Sequence, residues 1–167
     1  MDILEIKDLE YLAQKRVPKM FFDYVNSGSW TETTYNENVS DFQKIRLRQR
    51  VAIDMSNRTL ETKMVDQKVS MPVAIAPTGL TGMQRADGEI LAAQAAEEFG
   101  IPYTLSTMSV CSIEAVAEKI KKPFWFQLYV MKDKKFMERL IDRAKEAKCS
   151  ALVLTLDLQL LGQRHKD

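Results

Sequence analysis

Thr78, Ser106, Gln127, Tyr129 and Thr155 are neutral hydrogen-bonding groups, and each stands in or just after a short apolar run. The runs are residues 72–76 (PVAIA), 102–105 (PYTL), 124–128 (FWFQL) and 151–155 (ALVLT). Hydroxyls and an amide delivered repeatedly to one place suit the edge of a planar heterocycle, with its alternating donors and acceptors. They are poor metal ligands. Asp157 is the only strand-end carboxylate, and one carboxylate without a partner is a weak metal signal, so no metal is expected. Residues 78–82 (TGLTG) do not fit the glycine-rich fingerprint of a phosphate loop. The chain holds one histidine, His165, close to its last residue. Histidine is the commonest general base near neutral pH, so proton abstraction has no obvious agent here.

What would position these groups is an alternation of strands and helices. Between the apolar runs, helices are expected over 87–99 with Gly100 as cap, over 112–120 with Ser112 as N-cap, and over 133–147 capped by Asp133. Apolar stripes at Ile90, Leu91, Ala95 and Phe99, and at Phe136, Leu140, Ile141 and Ala144, are read as the faces that cover a sheet. Such alternation gives a parallel sheet of four strands, either open and doubly wound or part of a (β/α)8 barrel. In both, ligands bind at the carboxyl ends of the strands, where the polar groups above fall. The fourth run is followed by a turn through Gly162 and, up to Asp167, no covering helix, and a barrel needs about 250 residues. This predicts a chain that is about half of a barrel.

Residues 1–70 read differently, as a small α+β cap packed on the same domain as 71–167. Helices are expected over 7–17 with Asp8 as N-cap, over 19–26 after Pro18 with a left-handed cap at Gly28, and from Thr33 or Thr34 through Phe42. Phe21 and Phe22 are assigned to the core. Residues 45–48 and 51–53 alternate like half-buried strands, with Arg46, Arg48 and Arg50 on the solvated face. A hairpin over 62–70 would turn at Asp66 and Gln67, a poor primed turn.

The chain's 24 basic residues are balanced by 23 acidic ones, leaving a formal charge of +1 and no field for nucleic acid or an anionic membrane. No apolar stretch approaches the roughly 20 residues of a membrane helix, and the first residues lack the features of a signal peptide. A cytoplasmic protein is the expectation, with Cys111 and Cys149 reduced and buried, since their spacing fits neither a CxxC pair nor a zinc site.

Several segments together carry a resemblance. They are residues 72–79 (PVAIAPTG), 104–109 (TLSTMS), 125–129 (WFQLY), 154–157 (LTLD) with 162–164 (GQR), and 18–24 (PKMFFDY) with Ser27 and Gly28. In this combination the chain resembles, over essentially its whole length, the flavin mononucleotide (FMN) dependent 2-hydroxy-acid dehydrogenases and oxidases. Residues 82–89 (GMQRADGE) and 105–114 (LSTMSVCSIE) are most similar to the bacterial L-lactate dehydrogenases that pass electrons to a quinone or cytochrome.

The resemblance implies a TIM barrel with flavin at the carboxyl ends of its strands. It implies main-chain contacts to the flavin from Ala76, Pro77, Thr78 and Gly79, and hydrogen bonds to its ring from Ser106, Gln127 and Thr155. Tyr24 and Tyr129 would point hydroxyls at the 2-hydroxy-acid substrate, and Arg164 would help hold its carboxylate. The family's base is a histidine in a later Ser-x-His-Gly-Gly-Arg motif, with a lysine and an arginine clamp, and the resemblance places all of these beyond Asp167. His165 does not align with that histidine. No catalytic residue is therefore assigned in this chain. Residues 157–159 (DLQ) lack the family's proline two places after the aspartate.

The expectation is thus the N-terminal half of a TIM-barrel enzyme that oxidises an L-2-hydroxy acid, L-lactate to pyruvate. Such an enzyme would be a homo-oligomer when complete and cytoplasmic or peripheral on the inner face of the plasma membrane. The alternatives are a catalytically inactive half-barrel remnant or assembly module, and an oxidase that uses oxygen.

Overall fold

The structure, a computed structural model, describes residues 2–166. Asp167, the residue beyond which the resemblance sets the family's base, lies outside the described residues, as does Met1. The chain divides into two units, one formed by the residues up to Arg58 together with those from Leu160 onward, the other by Thr59–Gln159.

In the first unit the helices are α1 (Ile6–Arg16), α2 (Lys19–Val25) and α3 (Thr33–Ser40), the last running into a 3-10 turn at Asp41–Lys44. Asp8 is not the N-cap of α1. Glu5 takes that position, and Asp8 reaches back from the first turn to accept the N–H groups of Leu4 (2.8 Å) and Glu5 (3.1 Å). Pro18 is likewise the cap of α2, one place before its first helical residue. Gly28 is not left-handed, since Gly100 is the only described glycine with positive φ. Gly28 is needed for space, because a Cβ there would sit 2.6 Å from Cβ of Tyr35. Neither Thr33 nor Thr34 caps α3. It starts from Glu32 at φ 59°, whose carboxylate accepts the Gly28 N–H (3.0 Å) and pairs with Lys166 (2.8 Å). Phe22 is buried and Phe21 half-buried. Residues 45–53 form no strand. Leu47 is 95% exposed and Val51 78% exposed, because no described strand pairs with this segment and alternation alone cannot satisfy its backbone.

The second unit opens with an antiparallel hairpin, β1 (Thr62–Met64) and β2 (Gln67–Val69). Its turn is Val65–Asp66, one residue earlier than expected. Both have positive φ (46° and 62°), the primed geometry that matches strand twist. Then follow α4 (Thr81–Gln84), α5 (Gly88–Phe99), β3 (Thr104–Leu105), α6 (Ile113–Lys119), β4 (Trp125–Tyr129), α7 (Lys134–Glu146) and β5 (Ala151–Thr155). The sheet is parallel, in the order β3-β4-β5, with Gln127 opposite Val153 and Tyr129 opposite Thr155.

Among the described residues this sheet has three strands rather than the four expected. The run at 72–76 reduces to a single parallel bridge between Ile75 and Tyr103, made by Ile75 N–H to Pro102 O (2.9 Å) and Thr104 N–H to Ile75 O (3.1 Å). Pro72, Pro77 and Pro102 explain this, since each removes a donor from a ladder that would otherwise extend.

Period-two alternation gives the sheet two faces. Leu105, Phe126 and Leu128 turn to the helices and form the core with Ile113, Val116, Leu140 and Ala144. Thr104, Ser106, Trp125, Gln127 and Thr155 lie on the other face. There the hairpin covers the amino end, as Trp125 Nε1 donates to Gln67 Oε1 (3.2 Å). The three helix caps expected for this unit are in place: Ser112 accepts from Ala115 N–H (3.1 Å), Asp133 from Phe136 N–H (3.0 Å), and Gly100 is left-handed at φ 72°. Of the stripe expected on α5 only Ile90 packs against the core, half-buried. Gly88, Glu89, Ala93 and Ala96 face inward while Phe99 is 65% exposed, because small residues let the helix approach the sheet closely. On α7, Leu140 and Ala144 are buried and Ile141 half-buried, but Phe136 is exposed.

The helices α6 and α7 are joined by a two-pronged ion pair, with Arg143 Nε and Nη2 each 2.7 Å from the Glu114 carboxylate. The Arg143 guanidinium holds Glu114 down at a pKa of about 2, against an ordinary 4.5. A depressed carboxyl contributes stability above its unfolded pKa and loses it as pH falls from about 4.5 to about 2. Both side chains are over two-fifths exposed, so the contribution is ~0.5–1 kcal/mol. Urea unfolding at pH 6 and pH 3 checks this. Arg143→Met should cost that amount at pH 6 and only a part of it, under half, at pH 3.

Candidate functional site

Gln127 is the hub of the sheet's polar face. It sits in the middle of β4, is 1% exposed, and can hydrogen-bond only to neighbours that the fold supplies. Its Oε1 accepts the Thr107 N–H (3.0 Å) and the Ser106 hydroxyl (3.3 Å), and its Nε2 donates to Thr155 Oγ1 (2.7 Å). A main-chain N–H can only donate, so Thr107 fixes which end of the amide is oxygen and turns the nitrogen toward Thr155. Thr107 Oγ1 also donates to the carbonyl of Gln127, and Ser106 Oγ accepts the Met108 N–H (3.1 Å). The carboxyl ends of all three strands are thereby tied into one array. It presents hydroxyls and an amide and no charge.

Ala76, Pro77 and Thr78 are exposed in the segment after the Ile75 bridge, and among the described residues nothing hydrogen-bonds the Ala76 N–H. Tyr129 ends β4 half-buried. The structure thus brings Ser106, Gln127 and Thr155 into contact, with Tyr129 paired in register with Thr155.

Tyr24 and Arg164 meet in the first unit. The Arg164 guanidinium lies 4.9 Å from the Tyr24 ring centre and donates to the carbonyls of Tyr24 and Asp23 and to Ser27 Oγ (3.0 Å). Those are carbonyls of the last turn of α2, which a cation satisfies well. The arginine assigned to a substrate carboxylate is thus engaged in holding α2, and its stacking orients Tyr24.

Among the described residues no group of three or more His, Cys, Asp or Glu gathers as a metal site would need. Cys111 and Cys149 are free and only half-buried. Burial pushes the Cys149 thiol up to about 11, and burial with the nearby Glu89 carboxylate raises Cys111, so neither is a ready nucleophile. His165 is exposed, its ring edge-on to Trp30 with centres 6.1 Å apart. A cavity of about 270 Å³ lined by Val69, Ala93, Ala96, Tyr103, Ile120 and Phe124 lies at the amino ends of β3 and β4, opposite to the end where ligands bind in such sheets.

Two contributors carried no role in the sequence reading. Thr107 was visible only as a polar residue after β3. Glu89 is wholly buried, and its one signal is an acidic residue following Gly88 on the small-residue face of α5.

The sequence pattern of the FMN-dependent dehydrogenase family matches residues 13–167. An L-lactate dehydrogenase of Acinetobacter baumannii is 51% identical over 160 residues, which is 96% of this chain and 42% of that protein. Among solved structures, a soluble mutant of the membrane-associated (S)-mandelate dehydrogenase from Pseudomonas putida aligns with TM-score 0.93 and 36% identity over 99% of this chain and 47% of that one. A lactate oxidase of Pediococcus acidilactici aligns with TM-score 0.93 and 32% identity over 100% of this chain and 47% of that one. The chain spans less than half the length of these relatives.

Proposed function

The chain belongs to the FMN-dependent dehydrogenase family, and from that premise we propose that it supplies the ring-binding part of an enzyme oxidising an L-2-hydroxy acid, with L-lactate giving pyruvate. The observation that carries this reading is the array of Ser106, Gln127 and Thr155 at the strand ends. The residues present fit the cofactor. A buried amide with one nitrogen-bound hydrogen beyond its bond to Thr155, two hydroxyls and the main chain of the exposed Ala76–Thr78 and half-buried Gly79 offer a flavin ring both donors and acceptors and bring no charge against it. FMN, when bound, supplies the ring that accepts two electrons from the substrate.

In this reading Ala76, Pro77, Thr78 and Gly79 back the ring through their main chain, while Ser106, Gln127 and Thr155 hold its edge and tune its electron affinity. Tyr24 and Tyr129 direct hydroxyls to the substrate. Arg164 keeps Tyr24 in place and, as a cation beside it, favours the substrate carboxylate. The sheet β3-β4-β5 would be consecutive strands of a TIM barrel, and the base would come from the part of the enzyme beyond Asp167. Identity of 51% to an L-lactate dehydrogenase favours lactate and an acceptor such as a quinone or cytochrome over the oxygen-using reading, for which the lactate oxidase is 32% identical. Peripheral membrane association is proposed by analogy with the membrane-associated relative. Among the described residues no helix is long and apolar enough to cross a membrane.

Titrating the purified chain into FMN, followed by visible absorption, tests the ring site. A saturable change in the flavin bands is expected, and its absence up to about 1 mM chain, the limit of weak specific affinity, would refute the assignment.

A further inference from the structure

Glu89 is 0% exposed, yet it stands in the first turn of α5, where most acidic residues face water. Its Oε1 accepts two main-chain donors from separate segments, Gly82 N–H at 3.0 Å and Val110 N–H at 2.9 Å. Gly82 belongs to α4, which follows residues 76–79, and Val110 to the loop after β3 that begins with Ser106 and Thr107. A third bond, Leu80 N–H to Met108 O (2.9 Å), joins the same two segments.

The approach is as close as it can be. A Cβ on Gly82 would lie 2.6 Å from Cβ of Val110 and 3.0 Å from Glu89 Oε2, and one on Gly88 would lie 2.8 Å from the Thr81 carbonyl. Oε2 finds no hydrogen-bond partner of ordinary geometry among the described residues, with the Cys111 thiol as the polar group beside it. Burial alone would raise this carboxyl, but the N–H groups of Val110 and Gly82 outweigh it and hold the group below its ordinary range.

We propose that Glu89 is a positioning residue for the flavin site: its buried carboxylate clasps the segment after Gly79 to the loop after β3, and so sets the spacing between the main chain of Ala76–Gly79 and the array of Ser106 and Gln127. The inference rests on the ring-binding reading above. A planar ring held between two loops needs that separation constant, and a carboxylate shared by both is a single rigid spacer. Glu89 touches no ligand in this role; it acts through Gly82 and Val110.

Amide hydrogen exchange and FMN titration of the whole chain, on wild type, Glu89→Ala and Glu89→Gln, test it. In Glu89→Ala, exchange at residues 80–84 and 107–111 should rise by about tenfold or more, the loss expected for bonds to a charged acceptor, while β4 and α7 keep their protection. FMN affinity should fall with it. Glu89→Gln, which keeps an acceptor in the Oε1 position, should recover most of both. Exchange that is unchanged in the two loops, or that rises equally in β4 and α7, overturns the proposal. Loosened loops with unaltered FMN affinity overturn it too. Should Glu89→Ala fail to fold, Gly82→Ala decides, since it leaves the carboxylate and wedges a methyl against Val110; loosening confined to the two loops with weaker FMN binding supports the clasp, and any other result overturns it. A wild-type chain that leaves the flavin spectrum unperturbed sinks the ring-binding reading itself, and the exchange data then still show separately whether Glu89 joins the loops.

Discussion

Given FMN, L-lactate and a dye acceptor, the purified chain is expected to turn over at least about 10²–10⁴-fold more slowly than a full-length relative, the range that a positioned general base is worth. Its one histidine is His165, which is exposed and lies against Trp30 in the first unit. The array around Gln127 holds no group that takes a proton near neutral pH, because hydroxyls and amides do not. The two thiols are raised rather than lowered. The arginine clamp that the resemblance sets on the substrate carboxylate is not among the residues of this chain, so orientation would be lost along with the base. Steady-state dye reduction checks this. Turnover within about tenfold of a full-length relative would show that a residue of this chain acts as base and that the assignment of none is wrong.

Gln127→Leu is expected to destabilise the second unit by about 2–4 kcal/mol, lowering the urea midpoint at unchanged slope. Leucine is close to glutamine in volume, so packing against the neighbours is kept and the loss is polar. The Thr107 N–H and the Ser106 hydroxyl lose their acceptor at a site 1% exposed, and each buried donor left unpaired costs about 1–3 kcal/mol. Thr155→Val, which removes only the bond from Gln127 Nε2, should cost about 1 kcal/mol. Losses equal for the two variants would mean that Oε1 is not the anchor and that the amide is oriented from the Thr155 side. The same Gln127→Leu chain should no longer perturb the flavin spectrum, since the ring edge would meet a methyl group.

The sequence alone was enough for whatever depends on near neighbours. Strand β5 falls on residues 151–155 as read, and Ser112, Asp133 and Gly100 cap the helices named for them, because a cap satisfies backbone groups within four residues of itself. The period of two along residues 124–129 places Gln127 and Tyr129 on one face and Phe126 and Leu128 on the other, and motifs spread over the chain carried the family. Ser106, Gln127 and Thr155 were named from their place at strand ends.

That these three form one hydrogen-bonded array with Thr107 was decided by tertiary structure, since register brings Gln127 of β4 beside Thr155 of β5 from 28 residues away. The same holds where the reading failed. Alternation at 45–53 makes no strand without a pairing partner, prolines reduce 72–76 to one bridge, and α5 buries alanines and Glu89 rather than its larger apolar residues. Arg164 took its substrate role from the family resemblance, and that it also donates to carbonyls of α2 about 140 residues away is something only the fold supplies. Caps and periodicity are short-range energies and can be read locally; pairing, burial of a charge and the assignment of a donor depend on which distant group the fold places opposite, and that is set by the packing of the whole unit.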